Sequence, residues 1–395
     1  MLSLRHVYSP YPPHEPPLLP KRMPVTPLLF TPIPLRGLAL ENRIMVSPMC
    51  QYSALEGCAT EWHVIHLGSL AQSGAGLLCL EATGVTPEGR ITPGCLGLYS
   101  DDNEAALAHV LQSVRRWSDM PLAIQLGHAG RKASSYEPWR GGALVPTTEG
   151  GWRPVAPSAV PLSPSEPPPD ALDEAGILRI RDAFAAAAKR ADRLGLDAIE
   201  LHFAHGYLVH EFLSPLANRR TDRYGGSLEN RMRFPLEVFD AVRQAWPTAK
   251  PLGVRVSATD WVDGGWALED CVVFAHELKT RGCDWIDCSS GGISAQQKIP
   301  LGPGYQVPLA RRIREATGMT TIAVGLITEP AQAEAIIASG DADMVALARG
   351  LLWNPHWPWH AAAELGGAVR APKQYWRSPP RGKQASLLGS SSGQR

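Results

Sequence analysis

Residues 173–207 read DEAGILRIRDAFAAAAKRADRLGLDAIELHFAHGY. In the first part, Ile177, Ile180, Phe184, Ala187, Ala188 and Ala191 recur at three- and four-residue steps, the apolar face of an amphipathic helix. Gly195 stands where a helix stop is expected. The next run, LDAIELHFA (Leu196–Ala204), is short and almost wholly apolar, which fits a strand buried on both faces. It ends in His202, His205 and Tyr207. A helix, a buried strand and a polar strand end are one turn of an alternating α/β chain.

The same pattern extends in both directions. Other strand-like runs are Ile44–Cys50, Gly76–Val85, Pro121–Gly130, Pro251–Asp260, Asp284–Gly292, Thr321–Thr328 and Asp343–Gly350. Each starts apolar and ends in polar or glycine residues. Helical patterns lie between them, among them 102–117, 173–194, 228–246, 268–281 and 330–339. Pro235 is expected to kink or break the third of these. Eight such units predict a single (β/α)8 TIM barrel over residues 28–378. A doubly wound sheet is the competing fold, but no GxGxxG or GxxxxGK[ST] follows any strand. The proline-rich stretch 136–170 after the third strand is long for such a connection and is expected to be a lid.

The 395 residues carry 38 basic and 38 acidic side chains, so charge gives no case for nucleic acid or an anionic membrane. No apolar run approaches the ~20 residues that span a bilayer. Seven cysteines without CxxC pairs fit a reducing, cytoplasmic compartment better than a disulfide framework. Residues 1–27 are proline-rich and read as a disordered extension, with Met23 as an alternative start. Residues 379–395 read as a disordered tail.

In a barrel, chemistry sits at the C-terminal ends of the strands. Those ends here hold Cys50, Glu81–Thr83, Gln125, His128, His202, His205, Tyr207, Arg255, Ser289–Ser290, Gly325 and Arg349–Gly350. An arginine inside a strand is costly unless an anion or strong acceptor meets it, so Arg255 reads as functional. Cys50 reads equally as a buried thiol. His202 and His205 could ligate a metal, but zinc needs three or four ligands, and neither HEFLS (His210–Ser214) nor the HEL at His276 completes HExxH. A metal-dependent hydrolase is therefore a lesser alternative, and no GxSxG marks a serine hydrolase. Gly325 and Arg349 suit phosphate, since loops after the last two strands often bind it.

Several stretches together resemble a known family. SPMCQYSA (Ser47–Ala54), IQLGHAGRKA (Ile124–Ala133), HFAHGYLVHEFLSP (His202–Pro215) and NRRTDRYGGSLENRMRF (Asn218–Phe234) are similar to the old yellow enzymes, FMN-dependent ene-reductases. The likeness runs from about Leu28 to Arg377. Cys50 with Tyr52, and the terminal QYWR, resemble the thermophilic-like, or xenobiotic reductase, branch.

The resemblance implies noncovalent FMN at the barrel mouth and NADPH, or NADH, as reductant. It places Ser47, Pro48, Met49, Cys50, Ala82, Gln125, Arg255, Gly325, Ala348 and Arg349 around the flavin. It implies His202 and His205 as donors to the oxygen of an activated alkene, Tyr207 as proton donor, and Cys50 and Tyr52 as substrate contacts. Arg377 is implied to enter a neighbouring subunit's site, in a homodimer or homotetramer. No metal is implied. A dienoyl-CoA-reductase-like flavin barrel and a flavin-binding protein without turnover are the alternatives within this reading.

Overall fold

The computed structural model describes residues 26–389. Most of the expected N-terminal extension, residues 1–25, and the last six residues of the expected tail, 390–395, lie outside that range. Eight parallel strands close into a barrel. They are β1 (Ile44–Val46), β2 (Leu77–Gly84), β3 (Leu122–Gly127), β4 (Ala198–Phe203), β5 (Leu252–Ser257), β6 (Trp285–Ser289), β7 (Thr320–Val324) and β8 (Met344–Leu347). Closure is a direct pairing of the last strand with the first, Val345 with Ile44 and Leu347 with Val46. Each strand lies within one of the runs picked out by pattern, apart from the single residue Thr320. Among the described residues, no helix is long and apolar enough to cross a membrane.

The outer ring contains α1 (Glu61–Leu70), α2 (Asp101–Arg115), α3 (Glu174–Arg193), α4 (Leu208–Leu213), α5 (Leu228–Ala245), α6 (Leu268–Thr280), α7 (Val307–Thr317), α8 (Pro330–Ala338), α9 (Arg349–Trp353) and α10 (Trp357–Leu365). Local chemistry explains where several of them start and stop. Asp173 caps α3 by accepting the Gly176 N–H at 2.7 Å, and Gly195 follows in the left-handed region. Helix α5 runs unbroken through Pro235, against the expected break. The proline forfeits one intrahelical bond, while Phe234, Val238 and Phe239 beside it are all buried and hold the turns to the core.

Alternation along the strands sorts side chains between two environments. Ile199, Leu201, Phe203, Val254 and Val256 face the helices. Met45, Leu77, Cys79, Ala123, Ala198, Trp285 and Met344 fill the lower barrel interior. An antiparallel hairpin of Ile33–Leu35 and Leu38–Leu40 seals that end with Ile33, Leu35 and Leu40. Strand pattern alone did not reveal this hairpin, because each arm is only three residues long.

The stretch 136–170 has short 3-10 turns at Pro138–Arg140 and Thr147–Glu149, and Val155–Ala156 pairs with Asp170–Ala171. The expectation of a disordered tail from residue 379 is corrected for its described part. Leu387–Leu388 pairs in parallel with Val369–Arg370, and Leu387 is buried. Backbone pairing with Val369–Arg370 and burial of Leu387 hold this segment, despite its polar composition.

Trp285 lies so close across the neighbouring strand that a Cβ on Gly253 would stand 1.9 Å from the indole. Gly253→Ala is therefore expected to cost about 1–3 kcal/mol or more of stability, seen as a lower denaturant midpoint. Gly302→Ala, where the methyl meets open space, should change the midpoint little.

Candidate active site

Continuing each inward-facing register upward turns the interior from apolar to charged. Above Ala198 comes Glu200 and then His202. Above Gly253 come Arg255 and Ser257, and above Trp285 come Asp287 and Ser289. Ladder pairing sets Glu200 beside Gln125, His202 beside Arg255, Arg255 beside Asp287 and Ser257 beside Ser289. All these side chains are buried.

Arg255 ties this layer together. Its Nε lies 3.3 Å from Asp287 Oδ2, and its Nη1 donates to Ser47 Oγ at 3.3 Å. Glu200 accepts from Gln125 Nε2 at 2.8 Å and from Trp285 Nε1 at 3.2 Å. Two carboxyl groups thus share one guanidinium in a dry interior. Burial, reinforced by the charge of Asp287, pushes Glu200 up to about 8. Burial likewise raises Asp287, against the pull of Arg255. One carboxyl of the pair therefore keeps its proton at neutral pH.

Strand β2 carries an irregularity at Glu81, where pairing with β3 jumps from Leu80–Ile124 to Ala82–Gln125. The extra residue sets Ala82 opposite Gln125. It also turns the Glu81 carboxylate outward, to accept the Gln51 N–H at 3.1 Å and to lie 3.3 Å from His63 Nε2.

Above this layer the chain leaving β4 turns sharply. His205 has φ 60° and Gly206 φ 71°, two successive left-handed residues. Gly206 cannot be larger, since a Cβ would stand 2.2 Å from the Gly292 carbonyl oxygen. The unusual His205 backbone is held from both sides. Its N–H donates to Ser257 Oγ at 2.9 Å, and its carbonyl accepts from Lys132 Nζ at 2.7 Å. The next N–H, of Gly206, donates to His210 Nδ1 at 2.8 Å, and His210 Nε2 faces Asp260 Oδ1 at 2.9 Å. Buried Asp260 also accepts from Ser214 and from the Trp266 N–H.

This turn brings both imidazoles and the phenol together. Ring centroids are 5.0 Å apart for His202 and His205 and 4.8 Å for His202 and Tyr207, both edge-on. Hydrogen-bond partners fix the tautomer of His202 and leave that of His205 to its partners. His202 Nδ1 accepts the Ala204 N–H at 3.3 Å, so its proton is on Nε2, which faces His205 Nδ1 at 3.3 Å. His205 Nε2 lies 2.6 Å from Ser289 Oγ. A hydroxyl can accept or donate. If Ser289 donates to Nε2, His205 carries its proton on Nδ1, and both imidazoles then present N–H groups to one incoming oxygen.

Burial, with Arg255 nearby, holds both imidazoles well below their ordinary value, so they are neutral donors. Burial raises Tyr207 far above the usual phenol value, so it keeps its proton. Lys132, held down to about 8 by burial and then by Arg131, lies 5.7 Å from the Tyr207 ring centre.

The other expected residues are placed as follows. Ser47, Pro48, Met49 and Cys50 leave β1 at the same end. Tyr52 has φ 54° and meets Trp139 edge-on at 5.3 Å. Gly325, at the end of β7, has φ 112°, and a Cβ there would stand 2.5 Å from Gln306 Nε2. Ala348 precedes α9, and exposed Arg349 opens it. Arg377 is exposed and is not brought to this end. Its neighbour Trp376 lines a cavity with Gly76 and Pro121, at the opposite ends of β2 and β3. Among the described residues, no three His, Cys, Asp or Glu side chains converge as a metal site.

The arrangement fits FMN. Gln125 spends its amide N–H on Glu200, which leaves its oxygen to accept from a ring imide. Arg255 supplies a buried cation, and the first two N–H groups of α9, those of Arg349 and Gly350, suit an anion. Strand-end reading alone did not assign roles to Lys132, Ser257 or Glu200, nor to the His210–Asp260 pair. Alternation marks Ser257 and Glu200 as inward, while the other three depend on loop packing.

Comparison with known proteins agrees with this geometry. Residues 28–366 match the NADH:flavin oxidoreductase / NADH oxidase family. The chain is 46% identical over 352 residues to an NADPH dehydrogenase of Geobacillus thermodenitrificans, covering 89% of this chain and 98% of that one. It is 43% identical over 351 residues to an NADPH dehydrogenase of Bacillus subtilis, covering 88% and 98%. Morphinone reductase, solved in complex with tetrahydroNAD, superposes with a TM-score of 0.71 at 28% identity, covering 93% of this chain and 100% of that one.

Two outcomes follow for the buried layer. Glu200 has its folded value raised from 4.5 to about 8, so its stabilising contribution is complete below 4.5 and is lost as pH rises through 8. The denaturant midpoint of the cofactor-free protein, relative to that of Glu200→Gln, should fall as pH rises from about 4.5 to about 8. A phenol offers one oxygen that both imidazole N–H groups could meet, and Ser289→Ala should weaken its binding roughly tenfold, by depriving His205 Nε2 of its partner. Titration of phenol-induced absorbance changes checks this.

Proposed function

This chain belongs to the NADH:flavin oxidoreductase / NADH oxidase family, and from that premise we propose that it is an ene-reductase. Its cofactor is FMN and its reductant NADPH or NADH. The substrates we infer are activated alkenes: α,β-unsaturated ketones, aldehydes and maleimides, with nitro compounds as a second class.

FMN, when bound, would supply the hydride chemistry that links the reduced nicotinamide to the alkene β-carbon. The chain's own residues do the rest. Negative charge builds on the carbonyl oxygen as the β-carbon is reduced, and His202 Nε2–H and His205 Nδ1–H would hold that oxygen. Neutral donors suit this task, since neither has to give up a proton to stabilise the charge. Tyr207 delivers a proton to the α-carbon. Arg255 would supply a positive charge toward the anionic reduced flavin, and Ser47, Gln125, Ala82 and the stretch 48–50 would hold the ring. Gly325, Ala348 and Arg349 would hold the phosphate. The observation that carries this reading is the meeting of two imidazoles and one phenol at the end of β4, with His202 paired beside Arg255.

Cys50 and Tyr52 contact the substrate in this proposal, and the stretch 136–170 acts as a lid over them. The edge-on packing of Trp139 on Tyr52 supports that assignment. Arg377 completes the site of a second subunit, in a homodimer or homotetramer. Its position near the lower barrel, out of reach of its own site, supports a role in trans.

Purified protein should show flavin absorbance that bleaches with NADPH under anaerobic conditions and returns on adding cyclohexenone. Protein that cannot be loaded with FMN contradicts the proposal. Tyr207→Phe should slow alkene reduction by about 10²–10⁴-fold while leaving bleaching by NADPH largely intact. Loss of the bleaching step instead would remove Tyr207 as the proton donor.

A further inference from the structure

The carboxyl that strand β2 turns outward meets N–H groups from two other segments. Glu81 Oε2 accepts the Gln51 N–H at 3.1 Å, and its Oε1 lies 3.3 Å from His63 Nε2. His63 Nδ1 accepts the Thr60 N–H at 2.9 Å, so its proton is on Nε2, toward Glu81. Thr60 Oγ1 donates to the Ser53 carbonyl at 2.9 Å, and Ser53 Oγ donates to the Gln51 carbonyl at 2.9 Å. The Gln51 side chain closes the set. Its Nε2 donates to the Met49 carbonyl at 2.9 Å, and its Oε1 accepts from Trp62 Nε1 at 3.0 Å. Glu81 and His63 are both buried. The start of α1 and the irregularity of β2 therefore hold the same stretch, 49–53, from two sides.

We propose that Glu81 and His63 are a pair of positioning residues, which hold the chain leaving β1 so that Met49 and Cys50 stand against FMN. Neither touches flavin or substrate in this assignment. Glu81 acts through the Gln51 N–H, one residue past Cys50. His63 acts through Glu81 and, by way of Thr60 and Ser53, through the Gln51 carbonyl. What the stretch meets rests on the proposed function. The hydrogen bonds that hold it do not.

The residue types at both positions follow from the donors around them. Both groups that reach the Glu81 carboxyl are N–H donors, and a carboxylate offers an acceptor oxygen to each. An amide at that position has the same shape but one acceptor, so its NH2 would face a donor. Burial raises the Glu81 carboxyl, while the contacts with His63 and Gln51 pull it back down. His63 is the third residue of α1 and the reciprocal partner of the Thr60 cap, a place that glutamate or glutamine usually fills. A glutamate there would set two buried carboxyl groups side by side. An imidazole accepts from Thr60 with one nitrogen and presents a proton to Glu81 with the other, so it serves both neighbours.

The test compares Glu81→Gln, His63→Glu and the double variant with the unaltered protein. FMN affinity is measured by titration, and the alkylation rate of Cys50 is mapped by peptide in cofactor-free protein. Cys58, the other partly buried thiol, accepts from Asn103 Nδ2 at 3.3 Å and serves as the internal reference. Glu81→Gln should weaken FMN binding roughly tenfold and speed alkylation of Cys50 relative to Cys58. His63→Glu should do at least as much. The double variant should recover most of both losses, because the new amide NH2 then meets the new carboxylate, which still accepts the Thr60 N–H. Single variants with native FMN affinity and a native Cys50 rate, whatever their denaturant midpoints, would reduce the pair to a structural role and overturn the proposal. Losses that add in the double variant would overturn the pairing. Cys50 rates that rise and recover as expected in protein without ene-reduction would leave the pair standing and the reaction refuted.

Discussion

A guanidinium sealed inside a barrel must have a counter-charge, and the pairing of Arg255 with Asp287 at 3.3 Å provides it. Neither group has water to fall back on, so breaking the pair by removing one partner leaves a buried charge without compensation. Strand pairing fixes which residues flank it: His202 on one side, Asp287 on the other, and Ser47 across the mouth. Glu200, one inward step below His202, then cannot be fully ionised, and its contact with Gln125 settles which way that amide points. The orientation of the groups expected to meet a flavin is therefore decided below the site, by charge in the dry interior.

The turn above this layer works on a different principle. Backbone strain at His205 is held by four partners that come from separate parts of the chain: Ser257, Lys132, His210 and, through His210, Asp260. None of them needs to touch a substrate. Ser289 contributes something the others do not, because a hydroxyl has no fixed polarity. It can serve His205 in either tautomer, and so the imidazole pair can bond to itself when no ligand is near and to a shared oxygen when one is.

The barrel was legible in the sequence because its signal is coarse: buried strands, helices and polar strand ends repeat along the chain. Strand-end reading also found His202, His205, Tyr207, Arg255 and Gln125, since parallel strands in a barrel can deliver their ends to only one face. What escaped was set by features without a periodic signature. Each arm of the lower hairpin is too short to show alternation. The segment at 387–388 is held by backbone pairing and by the single buried Leu387, which composition cannot reveal. Pro235 was expected to kink or break its helix, and of these two outcomes the break is absent. Lys132 and the His210–Asp260 pair depend on which loops meet, and that follows only from the closed ring. Family resemblance added the chemistry that these patterns could not, and it assigned Arg377 to a neighbouring subunit.

The irregularity at Glu81 changes what kinds of variation β2 can absorb. A substitution alters one side chain, but losing one residue there would slide every later position of the strand by one step. Ala82 and Thr83 would exchange the faces they present, and the carboxylate that receives the Gln51 N–H would be gone. Chain length through this strand therefore sets which of its later side chains reach the barrel interior.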